Sequence, residues 1–372
     1  MMKKALILGG TGAMGGYLQT LLSQNDSWEV YVTTRAQRDD YRNIHFIQGN
    51  ARDEIFRKRL LRDNYFSVIV DFMNYGYSEF DACHKELLNA TDHYVFLSSS
   101  RVYADSQTPI TENSPRLLDV SEDREFLATQ RYALRKARQE NMLCNSNCRN
   151  YTIIRPYITY SDRRLQLGVY EKEQWLYRLL NNKPLVIQRN ILYKRTTLTY
   201  GEDVSRVFCN VMEQGPLCAP IHITTKETMT WMEILGLYLR VIKRETGKTP
   251  IIYTTEKMDE IECLFEGGYN TKYDRLYDRF FDNAKAENLY GHVDYMDMRT
   301  GLEKCLVKFI NDWKCRGNQI FSNILWDYEG MMDCVVGVEN PPEDITDKDL
   351  YYSGFEHGSD ICIHLQCYSN DE

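Results

Sequence analysis

Three groups of residues in this 372-residue chain have types and spacings that could do chemistry. The first is Tyr132-Ala133-Leu134-Arg135-Lys136, in which a phenol and an ammonium stand four positions apart. On a helix that is just over one turn, so the two side chains share a face. A neighbouring ammonium favours the phenolate and draws a tyrosine down from its ordinary value of about 10 toward neutral pH. Such a phenol can exchange a proton with a hydroxyl that is being oxidised or regenerated. The second group, Ser98-Ser99-Ser100 before Arg101-Val102-Tyr103, ends an apolar run about thirty residues earlier. A serine hydroxyl there can hold the same reacting oxygen as it passes between alcohol and ketone.

That reaction needs a hydride carrier, and the third group is where one would bind. Gly9-Gly10-Thr11-Gly12-Ala13-Met14-Gly15-Gly16 follows the apolar run Ala5–Leu8 and precedes an amphipathic stretch through Tyr17, Leu18, Leu21 and Leu22. Glycines at 9, 12 and 15 allow a tight strand-to-helix turn, a close backbone approach to a diphosphate, and close packing of helix on strand. The diphosphate then meets the unpaired N–H groups of a helix N-terminus. The second strand ends at Thr33-Thr34-Arg35. An acid there would bind the ribose 2′-hydroxyl of NAD; Arg35, with Arg38 nearby, instead suits a 2′-phosphate. The cofactor is therefore expected to be NADP or NAD, with Arg35 favouring NADP. Asn50 and Ala51, after the third strand, are placed to flank the adenine.

The elements that must position these groups read as an alternation of short apolar runs and helical patterns. Glu29–Thr33, Ile44–Ile47, Ser67–Phe72, His93–Ser98 and Tyr151–Arg155 have strand character, with helix-like segments at Glu54–Arg62 and near Glu79–Asn89. Apolar strands separated by helical crossovers predict a Rossmann-type, doubly wound parallel sheet in an α/β chain. Beyond about residue 160 the pattern is mixed: Gln174–Leu180 and Glu202–Met212 look helical, while Pro184–Gln188, Pro220–Thr224 and residues 250–253 look like strands. Thr230 and Glu233 form a capping box that opens a helix through Val241. We therefore expect a dinucleotide-binding domain over 1–165 with a returning segment near 195–225. An interleaved, smaller substrate-binding α/β part is expected over 166–317, and an irregular acidic extension over 318–372.

The net charge of −8 argues against a protein that coats nucleic acid. From Gly330 to Glu372 ten acidic residues face one lysine, so nearly all of that charge lies in the tail. No run approaches the roughly 20 apolar residues that would cross a bilayer. The short apolar run after Lys3-Lys4 reads as a buried first strand rather than a leader, so a cytoplasmic location is expected. Eleven scattered cysteines then read as reduced thiols, and neither the lone Cys144/Cys148 pair nor the isolated histidines suggest a metal site.

Taken together, GGTGAMGG at 9–16, SSSRVY at 98–103, PITENSP at 109–115, Tyr132/Lys136, Arg155-Pro156, Glu202-Asp203-Val204 and HITTKETMTWMEIL at 222–235 resemble the extended short-chain dehydrogenase/reductases, the NAD(P)-dependent nucleotide-sugar epimerase/dehydratase family. The likeness spans roughly residues 3–245. It implies Tyr132 as the acid–base, Lys136 as its partner and as a holder of the nicotinamide ribose, and Ser99 as the catalytic Ser/Thr, with Ser100 as the fallback. It implies cofactor contacts from Gly9, Thr11, Gly12, Ala13, Met14, Gly15, Thr34, Arg35, Asn50, Ala51, Phe72, Met73, Asn74, Lys136 and Pro156. Substrate contacts would come from Ser99, Ser100, Tyr132 and Tyr157. The implied partner is a nucleotide-linked sugar, and a homodimer is common in the family.

Departures narrow the chemistry. The 4,6-dehydratases carry Asp-Glu directly after the catalytic Thr, where this chain has Ser100-Arg101, so dehydration is not expected. The Asn that often follows Arg-Pro is replaced by Ile158, and the turn after the fourth strand lacks the usual His-x-Ala. Epimerase and 4-keto reductase remain the two leading expectations. An oxidoreductase acting on a small metabolite and a non-catalytic dinucleotide-binding regulator are the alternatives.

Overall fold

The computed structural model describes residues 2–256 and 268–321, together with 329, 332 and 363–365. Seven strands form one parallel sheet: β1 (Lys3–Leu8), β2 (Trp28–Thr34), β3 (Ile44–Gln48), β4 (Phe66–Asp71), β5 (Thr91–Leu97), β6 (Tyr151–Pro156) and β7 (Pro220–Ile223). Their spatial order is β7-β6-β5-β4-β1-β2-β3, so the direction of winding reverses at β1, where Ala5 lies between Val30 and Val68. Ligands of open α/β sheets bind in the crevice outside the strand ends at that reversal. The doubly wound sheet read from the alternating pattern is therefore present, and the sheet extends to β7 from the returning segment.

Both faces are covered, as parallel strands this apolar require. On one face α1 (Gly15–Leu22) and α6 (Gly201–Gln214) bury Leu18, Leu22, Val204, Val207 and Phe208 against β1 and β2. On the other, α2 (Glu54–Arg62), α3 (Tyr77–Asn89) and α4 (Tyr132–Cys144) bury Leu60, Phe80, Cys83, Leu87 and Leu143. Asp53 caps α2 by accepting from the Phe56 N–H at 2.7 Å.

A third core is built after β6 from α5 (Lys172–Leu180), α7 (Trp231–Thr246) and α8 (Met298–Arg316). Trp175 and Tyr238 stack there at 4.6 Å between ring centroids. The expected capping box opens α7: Glu233 N–H donates to Thr230 Oγ1 at 3.1 Å and Thr230 N–H to Glu233 Oε2 at 2.7 Å. The strand Leu185–Gln188 pairs in parallel with Ile252–Thr255, which pairs in turn with Ile363–Leu365. That short tail strand is the one element of 330–372 within the described residues; the irregular remainder expected there lies outside them.

Candidate active site

The glycine turn is held by contacts that leave no room for side chains on its inner side. Gly9 has φ of +69°, a left-handed backbone that glycine adopts without strain. A Cβ on Gly15 would lie 2.3 Å from the Gly10 carbonyl oxygen. Gln19, one turn into α1, donates to the carbonyls of Gly10 (2.5 Å) and Gly15 (3.1 Å). From the other direction, Ser205 of α6 places its hydroxyl 2.9 Å from the Met14 carbonyl. The outer side is open: a Cβ on Gly12 or Gly16 would meet nothing within 4 Å. The α1 N-terminus has no side-chain cap. An uncovered glycine backbone at a helix N-terminus fits a dinucleotide diphosphate.

The other expected cofactor residues lie at the carboxyl ends of the strands. Thr34 is buried and donates to the Ala36 carbonyl at 3.1 Å, whereas Thr11, Arg35 and Asn50 are exposed. Ala51 is buried, Phe72 packs on Phe208 at 5.2 Å, and Met73 Sδ lies 2.8 Å from where a Gly9 Cβ would stand. Asn74 accepts from Arg135 Nη2 at 3.1 Å through its side-chain oxygen.

A cavity of about 390 Å³ opens beside the turn, lined by Met14, Leu97, Ser98, Ser99, Arg101, Tyr132, Pro156 and Tyr157. Residues that are far apart in the chain thus share one site: Ser99 from the end of β5, Tyr132 from the first turn of α4, and Pro156 from the end of β6. A larger depression of about 980 Å³ lies elsewhere, between α2 and the Tyr65 region, and none of the expected site residues lines it. Size alone would therefore point to the wrong place.

Two expected residues sit behind the cavity. Ser100 is fully buried and its hydroxyl donates to the Arg155 carbonyl at 2.7 Å, so of Ser99 and Ser100 it is Ser99 that lines the cavity. Lys136 shares the helix with Tyr132 as its spacing requires, yet it is buried and is not among the lining residues. Its Nζ donates to the Leu97 carbonyl at 2.7 Å and lies 4.7 Å from the centre of the Phe96 ring. Burial pulls this ammonium down to about 8, opposed by the charge of Asp71. Beneath the serines, Glu140 accepts from Ser98 (2.5 Å), Arg155 (2.7 and 2.8 Å) and Arg116 (3.1 Å), which fixes the end of β5 to β6 and α4.

The same lining is rich in arginine, and sequence reasoning missed most of it. Arg101, Arg164 and Arg275 line the cavity with Glu171, Gln174 and Asn270. The Arg101 guanidinium lies 5.1 Å from the Tyr132 ring centre and donates to Asn270 Oδ1 at 2.6 Å. Arg164 pairs with Glu171 through two bonds of 3.0 and 3.3 Å. Behind them the buried Asp274 is in contact with Arg275, with Arg101 at 3.3 Å and with Arg279 at 2.9 Å, and accepts from the Tyr157 hydroxyl at 3.3 Å. Burial draws the Arg275 and Arg279 guanidiniums down from their ordinary values. The density of charge in Tyr273–Arg279 was the available signal, but the segment has no period that would have marked it as buried.

The arrangement is thus a dinucleotide-type sheet with Ser99, Tyr132 and three arginines lining one cavity at its mouth. A family model described as NAD dependent epimerase/dehydratase matches residues 5–217, and the chain belongs to that family. Among curated proteins, no match in sequence was found. Solved structures are similar at low identity. WbmH of Bordetella bronchiseptica, in complex with NAD+, is 16% identical with a TM-score of 0.62, over 84% of this chain and 99% of that one. UDP-glucuronic acid 4-epimerase from Bacillus cereus, in complex with NAD, is 15% identical with a TM-score of 0.62, over 86% and 100%. UDP-N-acetylglucosamine 4-epimerase from Methanobrevibacter ruminantium, in complex with UDP-N-acetylmuramic acid, is 14% identical with a TM-score of 0.63, over 84% and 99%. At these identities the likeness establishes the fold. Among the described residues, no helix is long and apolar enough to cross a membrane, and no cluster of His, Cys, Asp and Glu could hold a metal ion.

Proposed function

We propose that this chain binds NAD or NADP on its glycine turn and moves a hydride to and from a carbon of a nucleotide-linked sugar. Epimerisation is the first reading. The single observation that carries it is the shared cavity, which Ser99, Tyr132, Met14 of the turn and three guanidiniums line together. A nucleotide sugar carries a diphosphate, and guanidinium is the side chain best matched to phosphate oxygens. The similar folds named as 4-epimerases, one in complex with NAD and one with UDP-N-acetylmuramic acid, support the same reading.

In the proposed mechanism, bound nicotinamide supplies the hydride acceptor and donor. Tyr132 takes the proton from the sugar hydroxyl as it is oxidised and returns it when the hydroxyl re-forms. Ser99 hydrogen-bonds that oxygen throughout. Arg101 occupies the position where a dehydratase would carry an acid, so no group is set there to expel water. Lys136 contributes its charge from behind, one helical turn from the phenol, rather than by contact with the sugar.

The second reading, a 4-keto reductase that consumes NADPH, is favoured by Arg35, an exposed cation just past the end of β2. Mass analysis of small molecules released from the purified chain separates the two. Tightly held oxidised NAD with a nucleotide sugar supports the epimerase, and loosely held NADPH supports the reductase. Absence of any dinucleotide, with none binding on titration, overturns both.

A further inference from the structure

One buried carboxyl has no part in the mechanism above. Asp71, the last residue of β4, is completely shielded from solvent. It is paired in register with Phe96 of β5, so both side chains lie on the same face of the sheet. The Tyr94 hydroxyl donates to its Oδ2 at 2.7 Å and the Met73 N–H to its Oδ1 at 2.9 Å. Lys136 reaches this patch from α4, with its Nζ over the Phe96 ring and bonded to the Leu97 carbonyl. A ring and a carbonyl are neutral partners, and a buried ammonium held by these alone would shed its proton. Two buried carboxylates are close enough to act on it: Glu140, one turn further along α4, and Asp71. Glu140 is already engaged by Arg155, Arg116 and Ser98. Asp71 receives its hydrogen bonds from neutral donors and is the anion left to balance the lysine.

We propose that Asp71 is a positioning residue for this site: its carboxylate is the buried counter-charge that keeps Lys136 an ammonium, anchored on the last carbonyl of β5 one helical turn from Tyr132. The positioning role rests on Tyr132 being the acid–base; the pairing itself does not. An anchored ammonium fixes Leu97 immediately before Ser98 and Ser99, so one buried charge holds both the serine end of the site and the field at the phenol. Burial raises the Asp71 carboxyl and lowers the Lys136 ammonium, and each is checked by the charge of the other. The other ionisable groups around the pair are Tyr75 beyond β4, Tyr94 on β5, Cys83 on α3, Arg57 on α2, and Arg135 and Glu140 on α4. Arg135 opposes the lysine charge, which makes the carboxylate more necessary.

The test is titration of the Lys136 Nζ by NMR in the full chain labelled with ¹⁵N-lysine, with Lys136→Met used to assign the signal. In Asp71→Asn the midpoint moves to lower pH, where the proton concentration is at least tenfold higher, so that at least half of the lysine is neutral at pH 7. Tyr94→Phe keeps the carboxyl and removes its shortest donor; it shifts Lys136 in the same direction by less, and it decides the matter should Asp71→Asn fail to fold. A Lys136 midpoint that stays where it is in wild type in both variants overturns the proposal. The measurement needs no substrate, so it is independent of whether the sugar chemistry proposed above is right. Where turnover is measured, Asp71→Asn lowers kcat and changes the pH profile while KM and dinucleotide affinity stay near wild type.

Discussion

The two walls of the cavity are built by opposite means. On the sheet side, every group is placed by a regular element: Gly9–Gly15 between β1 and α1, Ser99 after β5, Tyr132 and Lys136 on α4. The buried charges on that side include Asp71, Lys136 and the Glu140–Arg155 tie. On the facing side, Arg164, Asn270 and Arg275 come from short or irregular segments, and charged groups are packed against one another: Asp274 alone serves Arg101, Arg275 and Arg279. The difference teaches that, in the proposed mechanism, the proton and hydride exchange would rest on backbone geometry. Substrate recognition, on the same proposal, would rest on a charge network in which each buried ion depends on its partners.

This contrast can be broken at either wall. The largest effect is expected on the sheet side: Tyr132→Phe lowers kcat by roughly 10²–10⁴-fold, while the dissociation constant of the dinucleotide, read by fluorescence quenching, is nearly unchanged. Equal turnover would remove Tyr132 from the mechanism. On the facing wall the expected damage is to stability, because Asp274→Ala strands buried guanidiniums without their anion. Denaturant unfolding should show a loss of about 3–5 kcal/mol, and a loss below about 1 kcal/mol would mean that the arginines are balanced in another way. The smallest effect is at the rim: Arg35→Ala should weaken NADPH by roughly tenfold to a hundredfold, the worth of a charged hydrogen bond, and leave NADH unaffected. If both bind unchanged, Arg35 is a solvent-facing residue and the leaning toward NADP fails.

How much of this was legible in the sequence follows the same division. The parallel sheet, the glycine turn and the Ser–Tyr–Lys set could be read because strand apolarity, glycine spacing and the four-residue step on a helix are local consequences of backbone geometry. That Lys136 points inward while Tyr132 faces the cavity was not legible, since spacing fixes the shared helix and not which side chain reaches the mouth. Ser100 could be told from Ser99 only once the backbone turned its hydroxyl onto Arg155. Ser205 gave no signal of its role, because its contact with the glycine turn spans 191 positions of the chain. Arg275 and Arg279 were hidden for another reason: arginine is ordinarily exposed, and only a partner such as Asp274 makes its burial affordable. Asp71 was visible as the single charge in Ser-Val-Ile-Val-Asp-Phe, yet nothing local linked it to a lysine 65 positions away.

The central claim is that one dinucleotide seats its diphosphate on the open side of Gly12 and carries its nicotinamide into the cavity that Ser99 and Tyr132 share. A crystal structure of the chain grown with NAD or NADP tests this most directly. The account predicts the diphosphate over the Gly9–Gly15 turn and the nicotinamide ring within contact of the Tyr132 hydroxyl. A diphosphate bound elsewhere, or a nicotinamide lying outside that cavity, would contradict it.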